Sequence, residues 1–272
     1  MIFPQKKLNY ICLDFEMSDL TSEMRKKIHG LTSEIIQIGA VLLDEKFNLV
    51  SSFSAFVKPQ FSHVNAIIQE LTGISESDIA EAKTFVPAIK EYFFWRSAYI
   101  SSGAEVLTFS WSRSDFTQLK AELNFKAHGK KELYSLLDNF VDLQKTFGRL
   151  LSANTAISLN AATKFSNVSF KGKQHTALFD AYNTACILRK ICFAKKLSPQ
   201  FDFLGKSTVK FPCAKNKKSD FNKKSFLLKL LQKIPLRTKK SLCAKYGIPY
   251  SKFVEFRLQT FFVKNLTARA IL

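Results

Sequence analysis

Two short, almost uninterrupted apolar runs limit the folds open to this chain. Leu8–Leu13 is rich in β formers and stops at Asp14, and Ile35–Leu43 carries a single polar side chain, Gln37. Neither alternates, as a half-exposed strand would, and neither is long enough for an independent helix. Runs of this kind are strands covered on both faces, which places a sheet at the centre of an α/β fold. Asn48–Val57 does alternate, and Asp44-Glu45-Lys46 supplies the turn that pairs it with the second run.

Helical texture follows. The spacing predicts helices over Val64–Leu71, Ser75–Ala82, Phe85–Arg96 and Ser114–Leu123, and a last long helix over Thr176–Lys195. Ser75 with Asp78 three residues on has the form of a capping box, and Pro87 falls in the first turn of its helix, where proline is tolerated. Further strands are expected at Glu105–Phe109 and Phe140–Leu143. No internal repeat interrupts this order, and no run approaches the ~18 apolar residues of a membrane span. The N-terminus lacks the pattern of a signal peptide. Five cysteines without a C-x-x-C pair form neither a disulfide framework nor a zinc site, so reduced thiols in a cytoplasmic protein are expected.

Charge divides the chain. Residues 195–272 hold 19 of the 41 Lys and Arg but 3 of the 22 acidic residues, so a near-neutral body carries a strongly basic tail. Such a tail suits a polyanionic partner, nucleic acid before membrane. We read residues 1–197 as the α/β domain, 198–224 as a basic linker, and 225–272 as a small basic all-helical module. Its segment Lys240–Arg257 has the form of a helix-turn-helix, with Cys243 four before Gly247 and Phe253 six after it. A basic helical bundle that binds phosphates without reading sequence is the alternative.

Four acids and one histidine fall where chemistry can use them. Asp14 and Glu16 are two apart at the end of the first strand, a spacing that puts both on one face. Asp115 opens a helix after a later strand, and His175 and Asp180 flank the start of the last helix. Carboxylates gathered in one cleft repel unless cations sit between them, and hard oxygen ligands suit magnesium or manganese. Two such ions can clamp the attacking and leaving oxygens of a phosphodiester, and a neutral histidine beside them can take a proton from water.

These residues, in this order, resemble the DEDDh (DnaQ-like) 3′–5′ exonucleases of the RNase H-like fold. Asp14-Phe15-Glu16 is similar to the family's first motif, Asp115 to its second, and His175 with Asp180 to its third. Glu34-Ile-Ile-Gln-Ile-Gly-Ala-Val41 resembles the second strand, and Glu70-Leu-Thr-Gly-Ile74 the segment that lines the terminal-nucleotide pocket. Ser110-Trp111 and Val141-Asp-Leu-Gln-Lys145 are similar to the KapD and histone-mRNA 3′-exonuclease branch. Thr176, four before Asp180, disfavours the tyrosine variant, and Ser112 stands where the branch commonly has glycine.

The resemblance implies a mixed sheet flanked by helices and a metal-dependent 3′–5′ exonuclease. It would release nucleoside 5′-monophosphates from single-stranded nucleic acid, RNA slightly favoured over DNA. Asp14, Glu16, Asp115 and Asp180 would hold two Mg²⁺ or Mn²⁺ ions, and His175 would be the general base. Phe15, Met17, Leu71, Thr72 and Trp111 would grip the last nucleotide, with Trp111 either stacking on a base or packing in the core. Arg25-Lys26-Lys27 either meets phosphates or forms a solvated loop. A DNA-trimming or proofreading enzyme is the alternative. A non-catalytic binder on the same fold is a second one, although clustered acids would repel a phosphate backbone unless cations neutralised them.

Overall fold

A computed structural model describes residues 8–99, 104–194 and 201–206. The elements are β1 (Leu8–Asp19), α1 (Ser22–Lys27), β2 (Ser33–Leu43), β3 (Leu49–Lys58), α2 (Ala66–Thr72), α3 (Glu76–Ile79), β4 (Lys83–Thr84) and α4 (Phe85–Ala98). They continue with β5 (Glu105–Ser110), α5 (Arg113–Lys126), a 3₁₀ turn (Lys131–Leu137), β6 (Phe140–Asp142), α6 (Leu143–Leu151), α7 (Leu159–Ser166), α8 (Ala177–Phe193) and β7 (Asp202–Phe203). None of these helices is long and apolar enough to cross a membrane.

The strands form one mixed sheet in the order β4-β3-β2-β1-β5-β6-β7. β1 runs antiparallel to β2 and parallel to β5. The expectation from the apolar run is met in β2, which is buried along its whole length. Its two faces feed two cores. Cys12 and Val41 pack toward α6, α7 and α8, whereas Ile11, Leu13, Phe15 and Ile38 pack toward α4, α5 and the 3₁₀ turn. The result is the expected α/β architecture, a mixed sheet flanked by helices on both faces.

Glu34 is fully buried inside this apolar strand. Its carboxylate accepts the backbone N–H groups of Gln60, Phe61 and Ser62 and the ammonium of Lys126. Burial alone would raise its pKa, but these donors outweigh burial and hold it below the ordinary glutamate value. The buried charge therefore fastens the loop after β3 to the end of α5.

Four details differ from the sequence reading. β1 does not end at Asp14 but continues to Asp19, with a bulge between Glu16 and Met17, so the first two acids lie within a strand. Between the two apolar runs, where no element is read from the sequence, the rest of that strand and α1 lead to the start of β2 at Ser33. Asp202–Phe203, assigned by composition to the linker 198–224, adds to the sheet as β7 along β6, tied by Asp202 to Lys145 and Arg149. Most of that linker, and the helical module at 225–272, lie outside the described residues. α6 and α7 had no counterpart in the sequence reading, although Leu143, Phe147, Leu150 and Leu151 form a buried helical stripe.

Candidate active site

A crevice forms where two adjacent parallel strands end and their connections diverge, and the acids gather at such a place. On β1, side chains at 10 and 12 face α8, so the two-residue period carries Asp14 and Glu16 to the same face. β5 ends beside them, and its chain turns through the N-cap Ser112 into α5, whose first turn holds Asp115. Asp115 is buried, and one of its carboxylate oxygens accepts the backbone N–H of Phe15 at 3.1 Å.

The third contribution comes from the start of α8. His175 has a left-handed backbone, φ 59°, which turns the chain into the helix. Its N–H donates to Asp180 at 3.1 Å, so the acid closes the turn that carries the histidine. The imidazole is exposed, whereas Asp180 is buried. Glu16, His175 and Asp180 each offer one ligand atom, all within 4.8 Å of one another.

β2 supplies the contacts that seat this helix. Gly39 lies opposite Asp14 in the ladder, and Gln37 opposite Glu16. A Cβ on Gly39 would lie 2.1 Å from the carbonyl carbon of Ala177, so only glycine lets the helix come this close. The side-chain oxygen of Gln37, itself buried, accepts the N–H of Ala177 at 3.0 Å. The sequence carried a signal here, a lone amide inside an otherwise apolar run, but it does not say what the amide faces.

Electrostatics bind the four acids into one unit. Burial, and then the charges of Asp115, Glu16 and Asp180, push the Asp14 carboxyl well above the usual range. Glu16 is raised to about 8 by burial and then by Asp180 and Asp115. Burial raises Asp115 to about 7 against the opposing N–H of Phe15, and raises Asp180 to about 6 against that of His175. Such a cluster is costly until positive charge enters it. One oxygen of Asp180 is buried without a hydrogen-bond partner. An orphaned carboxylate oxygen among like charges is the donor set that a hard divalent cation fits. A cavity of about 170 Å³ opens beside His175 and Asp180, walled by Ser158 and Asn160 from the start of α7.

The residues expected to grip a nucleotide divide into two groups. Leu71 is 46% exposed at the end of α2, and a Cβ on the following Gly73 would lie 2.4 Å from the ammonium of Lys173, in the loop leading to His175. Thr72 is buried beside it, its hydroxyl bonded to Ile68 and Ile74. The Phe15 side chain points into the opposite core and Met17 packs against that core, so only the backbone of Phe15 reaches the acids. Trp111 is 6% exposed, donates its indole N–H to Ile157 and packs on Phe147. Of its two expected roles, the structure gives it core packing. Arg25 pairs with Asp19, and Lys27 with Glu23 on α1.

Comparison with known proteins adds independent findings. Residues 11–188 match the family model RNase_T, described as exonuclease. The chain is 29% identical over 196 residues to ERI1 exoribonuclease 2 of Danio rerio, covering 66% of this chain and 34% of that one. It is 22% identical over 199 residues to human 3'-5' exoribonuclease 1, covering 68% and 53%. The chain thus spans about a third of the zebrafish relative and about half of the human one. Among solved structures, the nuclease domain of 3'hExo, a DEDDh family member bound to rAMP, superposes with a TM-score of 0.56 at 17% identity. That likeness covers 73% of this chain and 97% of that domain, and it concerns the fold.

Proposed function

The chain belongs to the RNase_T exonuclease family, the DEDDh 3′–5′ exonucleases of the RNase H-like fold, and from that premise we propose that it shortens single-stranded RNA from the 3′ end. The observation that carries the reading is the convergence of Asp14, Glu16, Asp115 and Asp180 with an exposed His175, burial first raising the pKa of all four acids. A protein that only bound nucleic acid would have no use for four acids that repel phosphate. RNA is chosen over DNA because the relatives that this chain resembles bear the name exoribonuclease.

In this reading Asp14, Glu16, Asp115 and Asp180 hold two divalent cations, Mg²⁺ or Mn²⁺. When bound, the cations neutralise the carboxylates and offset the charge that builds on the phosphodiester during hydrolysis. The chain's own residues do the rest. His175 accepts the proton of the attacking water at an imidazole nitrogen, which its exposure at the mouth of the site allows. Asp180 holds the turn that presents His175, and the Phe15 N–H holds Asp115. Leu71 lies where a terminal nucleotide can rest against the end of α2, with Lys173 beside it for a phosphate. Residues 207–272, which carry 16 Lys and Arg and 2 acids, add electrostatic, salt-sensitive affinity for the strand.

The test is a time course on matched 5′-labelled RNA and DNA single strands, with magnesium, manganese or chelator. Stepwise shortening of RNA from the 3′ end that stops with chelator supports the proposal. Faster shortening of DNA would transfer it to the DNA-trimming reading. Tight binding of both polymers without cleavage would overturn it in favour of a binder on this fold.

A further inference from the structure

Gln37 and Gly39 alternate on β2 and face, across the ladder, the two acids that alternate on β1: Glu16 lies opposite Gln37, and Asp14 opposite Gly39. The same two residues are the ones that meet the first turn of α8. Gly39 leaves the room into which the Ala177 backbone fits, and Gln37 accepts the Ala177 N–H. Ala177 stands two residues after His175 and three before Asp180.

We infer that Gln37 is a positioning residue for the catalytic cluster. It sets the height and rotation of the start of α8 over the sheet, and thereby the distance of His175 and Asp180 from Glu16. The inference rests on the proposed exonuclease reading for its catalytic consequence, but its structural part stands on the hydrogen bond alone.

The physical reason is the state of the helix end. The first N–H groups of a helix have no partner within it. The N-cap Thr176 makes no side-chain cap bond, and two other side chains accept from the backbone around it. Asp180 takes the N–H of His175, and Gln37 takes that of Ala177. The first bond is local and travels with the helix. The second, across 140 residues, is the hydrogen bond that joins the first turn of the helix to β2, where the apolar face of α8 packs on the sheet. Without it, the buried N–H of Ala177 is left unpaired and the turn is free to shift away from β2. A shift of about 1 Å in a catalytic group can cost on the order of 100-fold in rate.

Two substitutions at this position separate positioning from bulk stability. Gln37→Leu fills the space and removes the acceptor, whereas Gln37→Glu keeps an acceptor. Gln118→Leu is the control, because Gln118 is also buried and hydrogen-bonded but serves Ser33 and Glu122 on the other face of the sheet. The full chain is studied by amide hydrogen exchange at Ala177, by calorimetric titration with Mn²⁺, and by cleavage kinetics on a single-stranded oligonucleotide.

Gln37→Leu is expected to expose the Ala177 amide to exchange, weaken Mn²⁺ binding about 10-fold to 100-fold and lower kcat with KM unchanged. Gln37→Glu is expected to restore protection of that amide and part of the Mn²⁺ affinity. If Gln118→Leu produces the same losses, or if Gln37→Leu leaves exchange at Ala177 unchanged, the inference is overturned. A wild-type chain that neither binds Mn²⁺ nor cleaves would instead sink the exonuclease reading, while the exchange measurement would still decide the role of the bond.

Discussion

Asp115 accepts the backbone N–H of Phe15, the residue that stands between Asp14 and Glu16. This one bond, across 100 residues of sequence, fixes the second acidic contribution against the middle of the first. It also explains why Phe15 lies in the motif with its ring turned away. The side chain anchors β1 in one core while its N–H serves the crevice on the other side.

Replacing Asp14 by Asn is expected to abolish cleavage while leaving RNA binding intact, because on the proposed reading it removes a cation ligand. The same change removes the cost of burying the Asp14 carboxylate and, after that, its repulsion with Asp115, Glu16 and Asp180. The metal-free variant should therefore melt higher than wild type. Lower thermal stability of the variant in chelator would contradict the electrostatic account.

The raised pKa of Glu16 makes a signed prediction for stability. An acid whose folded pKa exceeds its unfolded value binds its proton more tightly in the native state, so it destabilises as it ionises. Below the ordinary glutamate pKa of 4.5 the penalty is absent, and above about 8 it is complete. Relative to Glu16→Gln, the metal-free wild type should lose stability steadily across that range. Added Mg²⁺ should raise the melting temperature most at its upper end. Melting curves at several pH values, with and without the ion, check both slopes.

For His175 the expectation is a separation of rate from binding. His175→Ala should lower kcat by about 100-fold to 10,000-fold, with little change in KM for single-stranded RNA. The rise in melting temperature on adding Mg²⁺ should persist, since the acids remain. Wild-type turnover in this variant would assign the proton transfer to another group.

Trp111 is expected to matter for stability rather than for recognition. Its ring fills the core against Phe147, and its N–H is committed to Ile157. Trp111→Ala should cost about 3–5 kcal/mol, whereas Trp111→Phe should retain wild-type KM on a short oligonucleotide. A large rise in KM for the phenylalanine variant, with unchanged melting, would return the indole to the substrate.

Removing residues 207–272 should weaken binding to RNA and flatten its dependence on salt, with kcat unchanged at saturating substrate. The cut belongs after Lys206 because residues 201–206 contribute β7 and its ion pairs to the domain. An unchanged salt slope would assign the charge of the tail to a different partner.

The order of the acids, the central strands and the helix that carries the third motif were legible in the sequence, because each is a local pattern. A run such as Ile35–Leu43 reports its own burial, and a two-residue spacing reports a shared face of a strand. The capping box at Ser75 and Asp78 was readable for the same reason, since both partners lie within one turn. The apolar stripe of α6 is equally local, but it follows β6 directly and so merges with the apolar run Phe140–Leu143. The end of β1 is not legible in the sequence, because Asp14 and Glu16, charged residues in a buried strand, break the pattern that marks a strand.

Tertiary structure decided everything that depends on residues far apart in the chain. Whether Trp111 faces a base or the core turns on Ile157 and Phe147, and whether Asp202 belongs to a linker or a strand turns on β6. The amide of Gln37 has a role only because Ala177 arrives against it from 140 positions away. The sequence by itself determined which side chains were available for chemistry and which segments had to be buried. Packing alone decided which of them meet, because the partners of a buried polar group are set by the close contact of β1, β2, α5 and α8, and no local spacing encodes that contact.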